Sequence, residues 1–517
     1  MKKALSLAMC LLMLLSVAAV GVSAIDYDQP FDTGTLDSER FRIPALLTLN
    51  DGSVIAGADI RYGHGSDSPN NIDIAVAISE DGYTGWDYTV VNYFDDYADG
   101  VTSTDSASFI DSTIVQSSTG RIFVLCDAYP SGGGYLQSKK GTGYIEIGGK
   151  KYMLLTTGNN DDSLDSFGYY IGDYAGNFAP VLTRAGGKLT EYAVDREFRL
   201  YKNGAPIYVD QKGAEGVKVQ QNVFYSASDL KCYRTTYLWL RYSDDNGKTW
   251  SAPTIISDQV KKESESFLGV GPGRGIAVNY NGKERLIYCV YDNDSLIHDP
   301  IVENASTIYS DDNGVTWHRG GETDVLMGIG KTSEAQIIAF PGEENPTLRM
   351  YARNSSNYIA YADSTDGGVT WTTFTADTAL EGTANCMVSF INTSRVVEGK
   401  SMVLSSAGSN LSSRADGVIR VGLAGNGSIK WTDTYPLAKG FFAYSCLTEL
   451  SDGNFAILYE DEAAHLKYMV FSVSDDGTIS EVNGENPEII ENLTIWQKIE
   501  RFFKQFFAKL LIFFGLV

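Results

Sequence analysis

The sequence predicts an all-β protein assembled from repeated four-stranded units. Its 517 residues include 52 Gly, 31 Tyr and 23 Phe. Short runs of Val, Ile, Tyr and Phe alternate with Asp-Gly, Asn-Gly and Gly-Gly pairs, a pattern that favours strands and tight turns over long helices. The second observation is a repeated octapeptide. It reads SDDNGKTW at 243–250, SDDNGVTW at 310–317 and STDGGVTW at 364–371.

Each copy of this repeat has the composition of a tight turn between two strands. Ser and Asp side chains bond to nearby backbone N–H groups, Gly accepts a positive φ, and Trp covers apolar neighbours. A degenerate copy at 79–86 departs from the pattern at Tyr83 and Gly85. A further incomplete copy, SDDGTIS, begins at Ser474. Turns that recur at intervals of about 50 to 70 residues indicate the blades of a β-propeller.

The interval between residues 79 and 243 is too long for one or two blades, which indicates an insertion. Segment 131–216 has alternating strands with its own Gly-Gly and Asn-Gly turns, as in GYIEIGGKKYMLL and FRLYKNGAPIYVD. We interpret this segment as a small inserted β-domain. The propeller then comprises 25–130 and 217–491.

The first 24 residues are typical of a secretory signal peptide. Two lysines precede an apolar stretch, which ends in the small residues Val22, Ser23 and Ala24. We expect the mature chain to begin near Ile25 and to be secreted or associated with the cell surface. The alternative, a membrane-spanning anchor, needs about 20 apolar residues and no cleavage site. The five cysteines beyond this segment are widely spaced, which fits neither a disulfide framework nor a zinc cluster.

The last residues, 493–517, read LTIWQKIERFFKQFFAKLLIFFGLV and differ in character from the rest of the chain. Ile, Leu and Phe recur every three or four positions with Lys, Arg and Gln between them, so the segment is predicted to form a short amphipathic helix. The basic residues suit a membrane interface. The alternative is that the apolar stripe packs against the propeller or a second copy of the protein.

The overall charge limits the class of partner. The chain has 65 acidic and 41 basic residues, for a formal net charge of -24. This balance argues against nucleic acid and anionic membrane as the main partners. An anionic substrate would be repelled at long range, so arginines in the site itself would have to bind it.

One such arginine is Arg42, in the apolar run FRIPALL at 41–47. From the residues alone, Arg42 is either an ion-paired edge residue or part of a partly buried anion site. However, FRIP followed by several S-x-D-x-G-x-T-W repeats resembles the bacterial sialidase (exo-α-neuraminidase) family, over about residues 25–491. The resemblance implies a six-bladed propeller that removes terminal sialic acid without a metal or organic cofactor. It also implies three arginines on the sugar carboxylate, an Asp acid/base, and a Tyr nucleophile paired with a Glu.

Matched to the family's motifs, the carboxylate-binding residues are Arg42, Arg353 in LRMYARNSS and Arg414 in NLSSRADGVIR. Arg414 is preferred to Arg420 because it directly precedes the turn-like ADG. A guanidinium binds a carboxylate through two parallel hydrogen bonds, which lysine cannot do. Arg61, in ADIRYGHGSD, resembles a further arginine of the family's pocket.

The resemblance also implies three catalytic residues. Asp67, on the loop after Arg61, is the expected acid/base, with Asp73 in the following strand as the alternative. Tyr444 in GFFAYSCLTEL is the expected nucleophile and Glu334 in KTSEAQIIAF its base. A tyrosine with a pKa near 10 needs such a base to take its proton as it attacks.

Asp111, in SASFIDSTIVQ, is expected to line the pocket for the N-acyl group of the sugar, with Asp105 as an equal candidate. The sequence as a whole predicts a secreted retaining exo-α-sialidase. It would act on sialylated glycoproteins, glycolipids and oligosaccharides through a tyrosyl-glycosyl intermediate. One alternative is a trans-sialidase or intramolecular trans-sialidase that uses the same residues. The other is a non-catalytic sialoglycan-binding propeller, which should lack a catalytic residue, whereas all three are present.

Overall fold

The part of the chain that the structure describes folds as a six-bladed β-propeller with almost no helix. The computed structural model describes residues 27–38, 40–294, 303–321, 329–340, 345–382, 385–425, 427–462 and 465–482. The predicted signal peptide and the predicted C-terminal amphipathic helix therefore lie outside the described residues. Within the described ranges, no helix has the length and apolarity needed to cross a bilayer.

The first blade is a four-stranded antiparallel sheet, and the second begins with two strands before the chain leaves the propeller. A 3-10 turn at Thr35–Asp37 precedes them. The strands are β1 (Phe41–Thr48), β2 (Val54–Arg61), β3 (Ile72–Ser79), β4 (Asp87–Asn92), β5 (Ser108–Gln116) and β6 (Ile122–Tyr129).

The inserted segment forms its own sheets, one built around β8 to β12 and a separate hairpin of β14 and β15. Its strands are β7 (Tyr144–Ile147), β8 (Lys150–Thr156), β9 (Tyr169–Ile171), β10 (Phe178–Thr183), β11 (Leu189–Asp195), β12 (Leu200–Lys202), β13 (Ala205–Pro206), β14 (Tyr208–Asp210), β15 (Lys218–Gln220) and β16 (Lys231–Cys232). A 3-10 turn occupies Leu164–Ser166. Because β16 pairs with β8, this sheet extends past residue 216, where the sequence analysis placed the end of the insertion.

The chain then completes the second blade, with β17 paired to β6, and forms the third. The elements are β17 (Tyr237–Ser243), β18 (Thr254–Ile255), α1 (Ser257–Val260), β19 (Glu265–Val270), β20 (Gly273–Arg274), β21 (Ile276–Tyr280), β22 (Lys283–Asp294), β23 (Asn304–Ser310) and β24 (His318–Arg319). Strand β20 runs parallel to β5, and the other pairings in these two blades are antiparallel.

The last three blades are antiparallel sheets of four strands each, in chain order. Blade 4 contains β25 (Thr332–Ala339), β26 (Leu348–Asn354), β27 (Tyr358–Ser364) and β28 (Thr375–Glu381). Blade 5 contains β29 (Ser389–Val397), β30 (Lys400–Gly408), β31 (Ala415–Gly425) and β32 (Ser428–Phe441). Blade 6 contains β33 (Ser445–Glu449), β34 (Phe455–Glu462), β35 (His465–Val473) and β36 (Ile479–Glu481).

The repeated octapeptides are turns between two strands, as the sequence predicts, and the structure places them between the third and fourth strands of their blades. In the copy at 243–250, Ser243 Oγ donates to Asp245 Oδ1 at 2.8 Å and accepts from the backbone N–H of Gly247 at 2.8 Å. Asp245 Oδ1 also accepts from the backbone N–H of Thr249 at 2.8 Å. The degenerate copy at 79–86 makes similar bonds to backbone N–H groups one position earlier: Ser79 Oγ accepts from Gly82 at 3.0 Å and Asp81 Oδ1 from Thr84 at 3.0 Å. The turn therefore tolerates the substitutions at its later positions.

The hydrophobic core lies between neighbouring blades, and one buried cluster joins the last blade to the first. Leu46 and Ala56 of blade 1 pack in the same buried cluster as Leu458 of blade 6. Thr448 Oγ1 also accepts a hydrogen bond from the backbone N–H of Thr48 at 2.9 Å. The first and last blades are thus joined by packing and hydrogen bonding, which brings the two ends of the chain's propeller region together.

Candidate active site

Three of the predicted site residues, Arg42, Asp111 and Glu334, lie where regular strand pairing is interrupted. The pairing register of β1, β5 and β25 shifts within each strand, as in a β-bulge. A bulge changes the direction in which the side chains of a strand point. The shifts fall between Arg42 and Ala45, between Ile110 and Thr113, and between Thr332 and Ala335. Ile43 and Asp111 have φ angles of 58° and 60°. A β-branched residue adopts this region only under strain, and such strain concentrates at functional sites.

A tyrosine and a glutamate form a buried hydrogen-bonded pair at the centre of this region. Tyr444 is 5% exposed, and its Oη donates to Glu334 Oε1 at 2.6 Å. Burial, followed by the charge of Glu334, raises the pKa of Tyr444 well above its usual value. The phenol is therefore neutral, and Glu334 is positioned to accept its proton.

Three arginines surround Tyr444. Arg353 Nη1 donates to Tyr444 Oη at 3.2 Å and to Glu334 Oε2 at 2.9 Å. The guanidinium carbons of Arg42 and Arg414 each lie 5.5 Å from the centre of the Tyr444 ring. The structure thus brings together the three arginines that the sequence analysis assigned to one carboxylate.

Two residues that the sequence analysis missed hold these arginines. Glu460 is fully buried and accepts from Arg42 Nε at 3.0 Å and from the backbone N–H of Ile43 at 3.1 Å. Asn385 Oδ1 accepts from Arg353 Nε at 3.3 Å. Glu460 belongs to the acidic run LYEDE at the end of β34, but nothing in that run distinguishes one acid from the others.

Asp67, on the loop between β2 and β3, is held by two arginines. Its Oδ1 accepts from Arg61 Nη1 at 2.5 Å and from Arg42 Nη1 at 3.2 Å. Arg61 is fully buried and also donates to Asp59 at 2.8 Å. Although partial burial of the Asp67 carboxyl acts to raise its pKa, the charges of Arg61 and Arg42 outweigh that effect and lower it. In this arrangement Asp67 is a carboxylate, with a side chain that is 68% exposed to solvent.

Asp111 lies at the register shift of β5, and its backbone N–H donates to Asp59 Oδ1 at 3.0 Å. Burial, followed by the charge of Asp59, raises the pKa of Asp111 well above its usual value. Within the described part of the chain, no group of three or more His, Cys, Asp or Glu side chains is arranged to hold a metal ion.

The alternative candidates Arg420, Asp73 and Asp105 make contacts with other parts of the chain. Arg420 lies within β31 and donates to a backbone carbonyl at 2.9 Å. Asp73 is buried in β3, where it accepts from a backbone N–H at 3.2 Å. Asp105 forms an ion pair with Lys212 of the inserted segment, at 2.6 Å. Each of these three side chains therefore has a structural contact of its own.

The chain is similar to known proteins over most of its length. The model of the BNR repeat-like domain family matches residues 211–457. The anhydrosialidase of Macrobdella decora is 34% identical over 86% of this chain and 61% of its own length. Sialidase B of Streptococcus pneumoniae is 28% identical over 85% of this chain and 65% of its own length. The chain thus spans less than two thirds of these curated relatives.

Solved structures resemble the whole described propeller. The intramolecular trans-sialidase of Ruminococcus gnavus, solved with oseltamivir carboxylate, is 34% identical with a TM-score of 0.77. The match covers 87% of this chain and 98% of the solved chain. The leech intramolecular trans-sialidase, solved with 2,7-anhydro-Neu5Ac, is 32% identical with a TM-score of 0.77. The match covers 89% of this chain and 72% of the leech chain. With such identity along nearly the full length of a solved relative, this chain belongs to the sialidase family.

Proposed function

We propose that this protein cleaves terminal α-linked sialic acid from glycans, with Tyr444 as the nucleophile. The observation that carries the proposal is the 2.6 Å hydrogen bond from Tyr444 Oη to Glu334 inside a group of three arginines. Sialic acid bears a carboxylate on its anomeric carbon, and three guanidinium groups fit one such anion. A carboxylate nucleophile would be repelled by this anion, whereas a neutral phenol is not. Sialidases are the glycosidases known for a tyrosine nucleophile.

In the first step, Tyr444 Oη bonds to the anomeric carbon C2 while Glu334 takes the phenol proton. The bond from C2 to the glycosidic oxygen breaks, and Asp67 gives its proton to that oxygen. In the second step, a water molecule transfers a proton to Asp67 and bonds to C2. The bond from C2 to Tyr444 then breaks, and Glu334 returns the proton to the phenol.

Asp67 has to be protonated before it can act as an acid, and the arginines provide a way to achieve this. In the unliganded site, Arg42 and Arg61 lower the pKa of Asp67, although its partial burial acts in the opposite direction. When the sugar carboxylate binds Arg42, that guanidinium is shared with a second anion. The pKa of Asp67 then rises because one of its stabilising charges is partly neutralised and an anion has come near.

Replacing the nucleophile tests the proposal. Tyr444→Phe removes the attacking oxygen and should lower turnover of sialyl-lactose by about three orders of magnitude or more, as expected when a nucleophile is lost. Tyr208→Phe, at an exposed tyrosine of the inserted segment, is the matched control and should retain activity. Turnover by Tyr444→Phe close to that of the unmodified protein would reject the assignment.

A second candidate function is intramolecular transfer, in which the sugar's own O7 hydroxyl attacks C2 in place of water. It is favoured by the two solved relatives at 34% and 32% identity, both described as intramolecular trans-sialidases. Identification of the product by NMR separates the two reactions, since hydrolysis gives free sialic acid and transfer gives the 2,7-anhydro sugar. In H₂¹⁸O, only the hydrolysis product acquires one ¹⁸O at C2. A protein that binds the substrate and yields neither product would be a non-catalytic sialoglycan-binding propeller.

A further inference from the structure

A groove outside the candidate active site lies between the inserted segment and the outer edge of blade 2. Its volume is about 310 Å³. Strand β8 contributes Tyr152 to one wall, while β18 and α1 form part of the other. Mixed aromatic and polar clefts of this size commonly hold small molecules.

The groove is lined by three half-buried tyrosines, Tyr144, Tyr152 and Tyr174. One face of Tyr174 is covered by the guanidinium of Arg196, which lies 4.6 Å from the ring centre. Aromatic rings that are partly open to solvent offer apolar faces of about the size of a sugar ring. The C–H faces of a pyranose pack on such surfaces while its hydroxyl groups remain free for hydrogen bonds.

Asp258, in α1, supplies an acceptor to the same groove. Its Oδ1 is buried, and among the residues that the structure describes no hydrogen-bond partner reaches it. An unsatisfied buried acceptor is costly, and native proteins usually satisfy such atoms with a ligand, water or ion. A hydroxyl group donates the bond that Asp258 Oδ1 lacks.

The charges around the groove select against an ionic ligand. Lys151 and Arg196 balance Asp173 and Asp258, so the charged lining residues sum to zero. Arg196 already donates from Nε and Nη2 to the carbonyl of Gly176, at 3.1 and 2.9 Å. Lys151 donates to the backbone carbonyl of Asp258. An anion would therefore meet two carboxylates, and both cations already donate to backbone carbonyls.

We propose that this groove binds a neutral hexopyranose, stacked on the tyrosines and donating a hydroxyl to Asp258. The site lies outside the group around Tyr444, and the inference does not depend on the proposed catalysis. A protein with this groove would hold a neutral sugar of a glycan while its central site engages another part of the same or a neighbouring glycan.

The test measures lactose binding to the full chain by saturation-transfer difference NMR, with excess free sialic acid present to occupy the candidate active site. Asp258→Ala and Tyr152→Ala should each weaken lactose binding about tenfold or more, because a hydrogen bond to a charged group or a stacking surface is lost. Asp165→Ala and Tyr208→Ala, at exposed positions of the inserted segment, are the matched controls and should bind as the unmodified protein does.

Hydrogen–deuterium exchange gives a second readout that needs no variant. Lactose should slow exchange in residues 150–156 and 253–258 of the unmodified protein. Absence of a lactose signal, lactose binding unchanged in Asp258→Ala, or protection confined to other segments would each overturn the proposal.

Discussion

Substitution of Glu460 by Gln tests how the site holds its first arginine. Glu460 accepts from Arg42 Nε at 3.0 Å, from Arg42 Nη2 at 3.4 Å and from the backbone N–H of Ile43 at 3.1 Å. Glutamine retains one acceptor oxygen, but its NH₂ group would face the guanidinium with donor against donor. The negative charge that balances Arg42 in the interior would also be lost.

We expect Glu460→Gln to change two quantities, the folding free energy and the inhibition constant of free sialic acid. Removing one partner of a buried ion pair costs about 3 to 5 kcal/mol of folding free energy. We expect the lower end of that range, because the Arg42 side chain is 15% exposed and keeps its contact with Asp67. A misplaced Arg42 would lose a charged hydrogen bond to the sugar, so the inhibition constant of free sialic acid should rise about tenfold to hundredfold.

The assay combines chemical denaturation with inhibition by free sialic acid. Glu462→Gln, at an exposed glutamate two residues further along β34, is the matched control and should change neither quantity. If Glu460→Gln leaves both the stability and the inhibition constant at their original values, the view that Glu460 positions Arg42 is refuted. A loss of stability with an unchanged inhibition constant would leave Glu460 a purely structural role.

Three further predictions concern the acid, the carboxylate clamp and a buried lysine. Asp67→Ala should slow cleavage of sialyl-lactose by a factor of about 10² to 10⁴ but leave cleavage of an aryl sialoside, whose phenolate leaves without a proton, largely unchanged. Equal losses on both substrates would show that another residue is the acid. Arg353→Lys should raise the inhibition constant of sialic acid although charge is retained, since the planar two-pronged contact is lost; an unchanged constant would show that Arg353 does not touch the carboxylate. Burial lowers the pKa of Lys261 from 10.5 to about 7. Between pH 7 and 10.5 this lysine is therefore protonated in the unfolded chain but largely neutral in the folded one. The free energy of unfolding should rise with pH across that range. Relative to Lys261→Met, the unmodified protein should gain about 4 kcal/mol from pH 7 to 10, and parallel denaturation curves would contradict this.

The blade turns could be predicted from the sequence because their bonds are local. Ser243 and Gly247 are four positions apart, as are Asp245 and Thr249, so one octapeptide contains every partner it needs. Blade 5 shows the limit of this signal. Its β31–β32 turn, between Gly425 and Ser428, lacks the repeat. The count of six blades therefore came from the family resemblance and from the structure.

The extent of the insertion was less predictable, because it depends on pairing between distant strands. Residues 131–216 contain most of the alternating pattern, but Lys231 and Cys232 of β16 return to pair with β8. A two-residue strand carries no periodicity that a sequence pattern could reveal. The long-range hydrogen bonds of the folded sheet decide where the inserted segment ends.

The sequence by itself determined the β-rich composition, the repeated turns and the chemical types of the site residues. Only the tertiary structure decided which of those side chains meet. Tyr444 and Glu334 are 110 positions apart, and Glu460 lies 418 positions from Arg42. Their contacts exist because blade 6 packs against blade 1 and because register shifts in β1 and β25 fall beside Arg42 and at Glu334. The physical reason is that a turn is specified by neighbours along the chain, whereas a site at the centre of a closed ring is specified by how all six blades pack.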